Sequence, residues 1–316
     1  MGERRYHIIF NRNAGTIATT GLTPEALAAH FDAAGLAVEI DTDDSAPLND
    51  RIARALASSA DTIIAAGGDG TVLAVAEALL GSGKTLAVLP LGTFNALVRD
   101  LRLPLDLAGA VAALPELEPR LIDVGEVNGR PFLHNVIVGL IPEIAVGREA
   151  MRHRPGLVNA WVWFTHFFLR HLSRSRRIAL GVEADGNPAR VERLQTILVA
   201  NNSYEQRIGR FMTRRRIDRG TLTAYFIHSL RLGDMVRLGI EMFAGRWRDD
   251  EVIAFESVRT LVLHGKRPQV RVTMDGEVVA LQTPLKFSVQ PASLSVLAPP
   301  EPVATPVQTS VVLEGV

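Results

Sequence analysis

Up to about residue 115 the chain alternates short apolar runs with longer stretches of helical period. Tyr6 to Phe10, Ala37 to Ile40, Thr62 to Ala66 and Leu86 to Leu89 are short runs rich in apolar residues, without helical spacing. That is the expected texture of parallel strands buried on both faces. Asn49 to Ser58 and Val72 to Leu80 place apolar residues on one helical face, and Leu107 to Leu114 adds a further helix. Thr23-Pro24-Glu25 opens another, with a capping threonine and a proline at the first helical position, and this helix should end near Ala34-Gly35. Strand and helix in strict alternation predict an α/β doubly wound domain around a parallel sheet.

The texture changes after Pro115 and Pro119, which places a domain boundary between Asp123 and Asn128. β-rich runs follow at Phe132 to Val138, Ile178 to Glu183, Thr196 to Ala200, Leu222 to Ile227, Val258 to Leu263, Gln269 to Met274 and Leu285 to Val289. Asn128-Gly129, Asp185-Gly186 and Asp275-Gly276 are hairpin signals between them. The expected plan is a first domain over 1–125 and an antiparallel β-sandwich over 126–299, whose last strand is free to return to the first domain. A flexible, proline-rich tail over 300–316 completes it.

Composition narrows the chemistry. Hydrophobic residues make up 47% and charged residues 22% of 316 residues, enough apolar mass for two cores. The formal net charge is zero, so no global field recruits nucleic acid. Cysteine is absent, which excludes disulfides, thiolate catalysis and cysteine zinc sites. The start, Met1 to Arg5, leads into a strand without the apolar segment of a signal peptide. The most apolar helical stretch, Leu157 to Leu169, falls short of the roughly 20 residues a membrane span needs. A cytoplasmic protein is expected.

Glycine turns follow three of the predicted strands. Thr62 to Ala66 runs into Gly67-Gly68-Asp69-Gly70-Thr71 and then a helix. Strand, glycine turn and helix start together aim free N–H groups at an anion. The glycines permit positive φ and close phosphate approach. A carboxylate in such a turn would repel a bare phosphate, so Asp69 calls for a divalent cation, Mg²⁺, between them. Leu86 to Leu89 ends in Pro90-Leu91-Gly92-Thr93-Phe94-Asn95, and Tyr6 to Phe10 in Asn11-Arg12-Asn13-Ala14-Gly15-Thr16. Such turns converge on one crevice of an open α/β sheet.

Ala66 to Thr71 and Pro90 to Asn95 resemble the nucleotide-binding motifs of the diacylglycerol kinase catalytic family, the soluble bacterial lipid kinases related to sphingosine kinases. GGDG is shared with NAD kinases and phosphofructokinases, whereas PxGTxN is the more specific element. Asn11 and Gly15 match the family's NPxxG element, with Arg12 where proline is usual. The resemblance implies an ATP site formed by Asn11, Gly15, Thr42, Gly67, Gly68, Gly70, Thr71, Gly92, Thr93 and Asn95, with Asp69 on Mg²⁺. A polar residue often follows the motif asparagine in the family; here it is Ala96. It also implies that Val272-Thr273-Met274-Asp275-Gly276-Glu277 brings a general base, Glu277, into the interdomain cleft, with Asp275 beside it in the catalytic set. Taken alone, Asp-Gly-Glu is equally a hairpin turn. Some relatives bind a structural Mg²⁺ through Asp-Gly-x-Leu, and Arg219-Gly220-Thr221-Leu222 puts arginine at the aspartate position. A guanidinium cannot ligate a cation, so this second metal is expected to be absent or displaced.

Arg207, Arg210, Arg214, Arg215, Arg216 and Arg219 form one basic cluster, and Arg170 to Arg177 another. Either is a solvated surface or a contact for anionic headgroups. Trp161, Trp163, Phe164, Phe167 and Phe168 lie nearby in sequence as core or as lipid-facing aromatics. The resulting expectation is an ATP- and Mg²⁺-dependent lipid kinase converting diacylglycerol to phosphatidic acid. It would act by peripheral contact with a membrane surface, without nucleic acid, and a homodimer is left open. An NAD kinase-like phosphotransferase and a silent nucleotide-sensing or membrane-binding module are the alternatives.

Overall fold

The computed structural model describes residues 4–12, 14, 17, 20–139, 177–205, 213–214, 216–228, 233–234, 237, 241 and 253–300. Gly15, most of the second-domain arginines, the aromatic stretch 157–169, the cluster 170–176 and the tail beyond residue 300 lie outside them.

The first domain is built on strands β1 (Tyr6–Phe10), β2 (Val38–Asp41), β3 (Thr62–Ala66) and β4 (Thr85–Val88). Helices α1 (Pro24–Ala33), α2 (Leu48–Ala57), α3 (Asp69–Leu79), α4 (Ala96–Asp100) and α5 (Leu107–Ala113) belong to the same domain. The sheet order is β2-β1-β3-β4, with every pair parallel. Every residue of β1 and β3 is buried, as an apolar run flanked by helices requires. Thr23 caps α1 by accepting from the Ala26 N–H at 3.2 Å. After β1 the chain crosses to β2 on one side and then returns to β3 on the other. The switch point lies between β1 and β3, and the crevice beyond their carboxyl ends is where such sheets bind ligands.

Among the described residues twelve more strands follow: β5 (Glu118–Val127), β6 (Arg130–Phe132), β7 (Asn135–Gly139), β8 (Ile178–Ala184), β9 (Arg190–Leu194), β10 (Thr196–Asn201), β11 (Leu222–Ile227), β12 (Ile253–Val258), β13 (Thr260–His264), β14 (Gln269–Met274), β15 (Glu277–Gln282) and β16 (Leu285–Ala298). An antiparallel sheet of order β12-β11-β10-β7-β14-β15 packs against β13, β8 and the adjoining strands. Their shared core includes Phe132, Val138, Ile197, Phe226, Leu261 and Phe287. The fold is an α/β doubly wound domain joined to an antiparallel β-sandwich.

β16 is longer than the run Leu285 to Val289 predicts. Its first part pairs with β13, from Leu263↔Leu285 to Thr260↔Ser288. After an irregularity between Gln290 and Leu294 it lies beside β4, with Val296 opposite Leu86. β5 pairs antiparallel to it along most of this length, so the sheet passes unbroken from one domain to the other.

Candidate active site

The three turns meet at the switch point. Asn11, directly after β1, donates its main-chain N–H to the Ala66 carbonyl at 3.0 Å. Its side-chain Nδ2 donates to Thr71 Oγ1 at 2.8 Å. This joins the end of β1 to the first turn of α3. Gly68 is the N-cap of that helix, so Asp69 opens it. Asp69 Oδ1 accepts the Ala96 N–H at 2.8 Å, which binds the first glycine turn to the second. In the second turn Asn95 adopts the left-handed conformation, φ 49°, which asparagine tolerates better than most residues. Its Oδ1 accepts the Gly92 N–H at 2.7 Å.

Among the described residues none of the motif glycines, Gly67, Gly68, Gly70 and Gly92, has positive φ, contrary to expectation; the left-handed residue there is Asn95. Glycine is required by close approach instead. A Cβ on Gly92 would stand 2.9 Å from Asn95 Oδ1 and 3.0 Å from the Gly68 Cα. A Cβ on Gly68 would meet nothing within 4 Å. Gly92 therefore packs the two turns together, and Gly68 faces open space where an anion can approach.

The second domain reaches the same place through the β14–β15 hairpin. Glu277 is exposed, and its Oε1 lies 2.8 Å from where a Cβ of Gly70 would be. The absent side chain at Gly70 lets a carboxylate from one domain rest against the first glycine turn of the other. Asp275 does something different. Its Oδ2 accepts from the Leu133 N–H at 2.6 Å, and its Oδ1 from those of His134 and Asn135 at 2.8 and 2.9 Å. Burial pushes its carboxyl above the ordinary aspartate value, against the pull of those three donors. Both oxygens are engaged by main chain, so Asp275 holds the hairpin in place and leaves the cleft to Glu277.

A buried ion pair crosses between the domains nearby. Asp100, at the end of α4, accepts from Arg214 Nε at 2.9 Å and Nη2 at 2.6 Å on Oδ2, and from the Arg214 main-chain N–H at 2.9 Å on Oδ1. Arg214 Nη1 donates to the carbonyls of Leu133 and Asn201 at 2.7 and 2.6 Å. Its Nη2 also lies 3.1 Å from His134 Nδ1. The same Nη2 is 3.4 Å from Nε2, and a guanidinium only donates, so the ring meets it as a neutral imidazole. Burial, together with the Arg214 charge, holds His134 well below the ordinary histidine value.

Sequence reasoning missed this network. Arg214 looked like one member of a surface cluster, and Asp100 like the exit from a motif. The usable signal was Asp100 itself, a lone acid among Leu97, Val98, Leu101 and Leu103, all of which are buried. Of the predicted site residues, Asn11, Gly67, Gly68, Asp69, Gly70, Thr71, Gly92, Asn95 and Glu277 are brought together. Thr93 is exposed on the second turn. Thr42 is exposed beyond β2, and among the described residues no hydrogen bond joins it to the three turns.

The donor set fits magnesium held together with a nucleotide. Asp69 Oδ2 takes no hydrogen bond among the described residues, and no group of three or more His, Asp or Glu there could cage a cation. Mg²⁺ commonly uses one or two carboxylates plus substrate phosphates and water, which suits a single aspartate at a phosphate turn. At the second predicted metal site, Asp218 accepts from Arg216 Nε and Nη2 at 2.8 and 3.0 Å, and the Arg219 N–H donates to Asn202 Oδ1. No helix of the described residues is long and apolar enough to cross a membrane.

A crevice of glycine turns in an α/β domain, faced by an acidic hairpin from a β-sandwich, is the arrangement the family comparisons can be set against. Residues 5–127 match the diacylglycerol kinase catalytic domain, and residues 143–298 the YegS C-terminal NAD kinase beta sandwich-like domain. The chain belongs to the diacylglycerol kinase catalytic-domain family of lipid kinases. It is 24% identical over 281 residues to a diacylglycerol kinase of Staphylococcus aureus strain bovine RF122 / ET3-1, covering 87% of this chain and 86% of the relative. An 85-residue stretch is 49% identical to a "Probable lipid kinase YegS-like" of Pseudomonas aeruginosa, covering 26% of this chain and 28% of that one. The crystal structure of a diacylglycerol kinase from Bacillus anthracis str. Sterne has a TM-score of 0.64 at 22% identity, covering 94% of this chain and 97% of that one. That likeness speaks for the fold.

Proposed function

We propose that this protein is an ATP- and Mg²⁺-dependent kinase that phosphorylates the free hydroxyl of diacylglycerol to give phosphatidic acid. The observation that carries the reading is the Glu277 carboxylate resting against Gly70, one residue from Asp69. Phosphoryl transfer needs a cradle for the phosphates, a cation to neutralise them and a group to take the proton of the acceptor. Bound Mg·ATP supplies the phosphoryl group and the neutralising charge. Asp69 would hold the cation, and the turn at Gly68 together with the N-terminus of α3 would receive the phosphates. Glu277 orients the lipid hydroxyl and accepts its proton. Asn11 and Asn95 keep the turns in register, through Thr71 and Gly92 respectively.

A hydroxyl acceptor that resides in a bilayer requires transient contact of a cytoplasmic enzyme with the membrane surface. The test is phosphorylation by labelled ATP of micellar diacylglycerol, of a lipid extract and of NAD in parallel. Labelled phosphatidic acid supports the proposal. Labelling of NAD alone assigns an NAD kinase, and ATP binding without any acceptor assigns a nucleotide-sensing module.

A further inference from the structure

The contacts around the cleft close into a ring. Asp69 accepts from Ala96, which opens α4, and α4 ends in Asp100. Asp100 is bound by Arg214, and Arg214 donates to the Leu133 carbonyl. The Leu133 N–H donates to Asp275, two residues before Glu277, whose carboxylate returns to Gly70 beside Asp69. Every link except the last is covalent or a hydrogen bond.

Arg214 is the member that crosses between domains, and it is fully used. A guanidinium has five N–H donors in a fixed fork. Here Nε serves Asp100, Nη1 the Leu133 and Asn201 carbonyls, and Nη2 Asp100 and His134. Both charged side chains are 1% exposed. Replacing such a pair by packed apolar residues is often neutral for stability. A pair kept for stability alone would thus be dispensable, whereas one kept for geometry would not.

We infer that the Asp100–Arg214 pair is a positioning device: it couples the phosphate turns of one domain to the Asp275–Glu277 hairpin of the other and so sets where Glu277 stands. This rests on the kinase reading above. Lysine cannot replace the arginine, because three donors on a flexible stem cannot serve four acceptors in these directions. The loss is expected in turnover rather than in nucleotide binding, since none of the ring's interdomain hydrogen bonds is made by the phosphate-facing edge of the Gly68 turn.

The test compares Arg214→Met, Arg214→Lys and the double variant Asp100→Leu/Arg214→Met with wild type. Thermal unfolding, KM for ATP and kcat on micellar diacylglycerol are read for each. The single variants should lose stability. The double variant should recover much of it, yet keep a kcat lower by about a hundredfold, the scale of an ångström-sized misplacement, with KM for ATP within threefold. Recovery of kcat along with stability would make the pair merely structural and overturn the inference. Hydrogen exchange at the amides of Leu133, His134 and Asn135 decides the matter without any substrate. Faster exchange in the double variant is expected, and wild-type protection would overturn the inference. Absence of lipid phosphorylation by wild type would instead strike the kinase reading, leaving the exchange result to judge the ring.

Discussion

Glu277 Oε1 lies 2.8 Å from the place a Cβ of Gly70 would occupy, so the two domains touch where one of them has no side chain. Gly70 is in the first turn of α3, where alanine would favour the helix by up to about 1 kcal/mol. Gly70→Ala is therefore expected to keep or slightly raise the unfolding temperature while pushing the carboxylate away by several tenths of an ångström. Turnover should fall about tenfold by the same misplacement argument. Thermal unfolding and single-turnover phosphorylation on one preparation check both halves. Full activity would show that the contact is incidental.

Asp69→Asn and Glu277→Gln should separate cation from base. The first removes the charge proposed to hold Mg²⁺ and should cost at least about a hundredfold, as expected for a main electrostatic contribution. Nucleotide affinity in the presence of magnesium should weaken with it. Glu277→Gln should lower turnover by about a hundred- to ten-thousandfold and leave ATP affinity within threefold. Asp275→Asn should behave as a stability variant, because its amide group would face N–H donors with an N–H₂ of its own. Calorimetric ATP titration beside single-turnover rates distinguishes the three.

The two glycine turns should respond differently to a methyl group. Gly68→Ala adds it to open space at φ −80°, so stability should stay within about 0.5 kcal/mol while ATP affinity drops. Gly92→Ala drives it toward Asn95 and the Gly68 backbone, and should cost about 1–3 kcal/mol by overpacking. Urea unfolding and ATP titration read the pair. Unchanged ATP affinity in a stable Gly68→Ala protein would remove the phosphates from that turn.

His134 makes stability depend on pH in one direction. Its folded value is depressed, so between that value and about 6.5 the unfolded chain binds a proton that the native ring refuses. The contribution of the neutral ring is complete above about pH 6.5 and is lost as pH falls below it, at up to about 1.4 kcal/mol per pH unit. Wild type should lose more stability than His134→Gln between about pH 7 and pH 5. Parallel urea midpoints for the two would refute the assignment.

Much of this was legible in the residues. Tyr6–Phe10 and Thr62–Ala66 read as buried strands because nothing polar interrupts their interior positions except His7. The turns after them were visible because glycine clusters between two different periodicities have few other uses. β5 was hidden, since Pro119 stands near its start and the partner along most of its length, β16, is far away in sequence; only its last residues pair with the adjacent β6. β12 was also missed; its residues alternate around Phe255 and Glu256 without an apolar face. That Arg214 is the partner of Asp100 was out of reach for a related reason. Pairing between residues so far apart leaves no local period, and arginine inside a basic run carries no sign of which member turns inward.

The long strand β16 has a consequence for the order in which the molecule comes into being. Leu294, Val296, Leu297 and Ala298 belong to the core of the first domain, and Leu285 and Phe287 to that of the second. Chains emerge from the ribosome at about 5–20 residues per second and usually complete their N-terminal unit first. Here the first domain must wait, its sheet one strand short beside β4, until nearly the whole second domain has been synthesised. The nascent chain thus carries an open parallel edge through most of its translation, and both halves of the enzyme are finished by the same few residues.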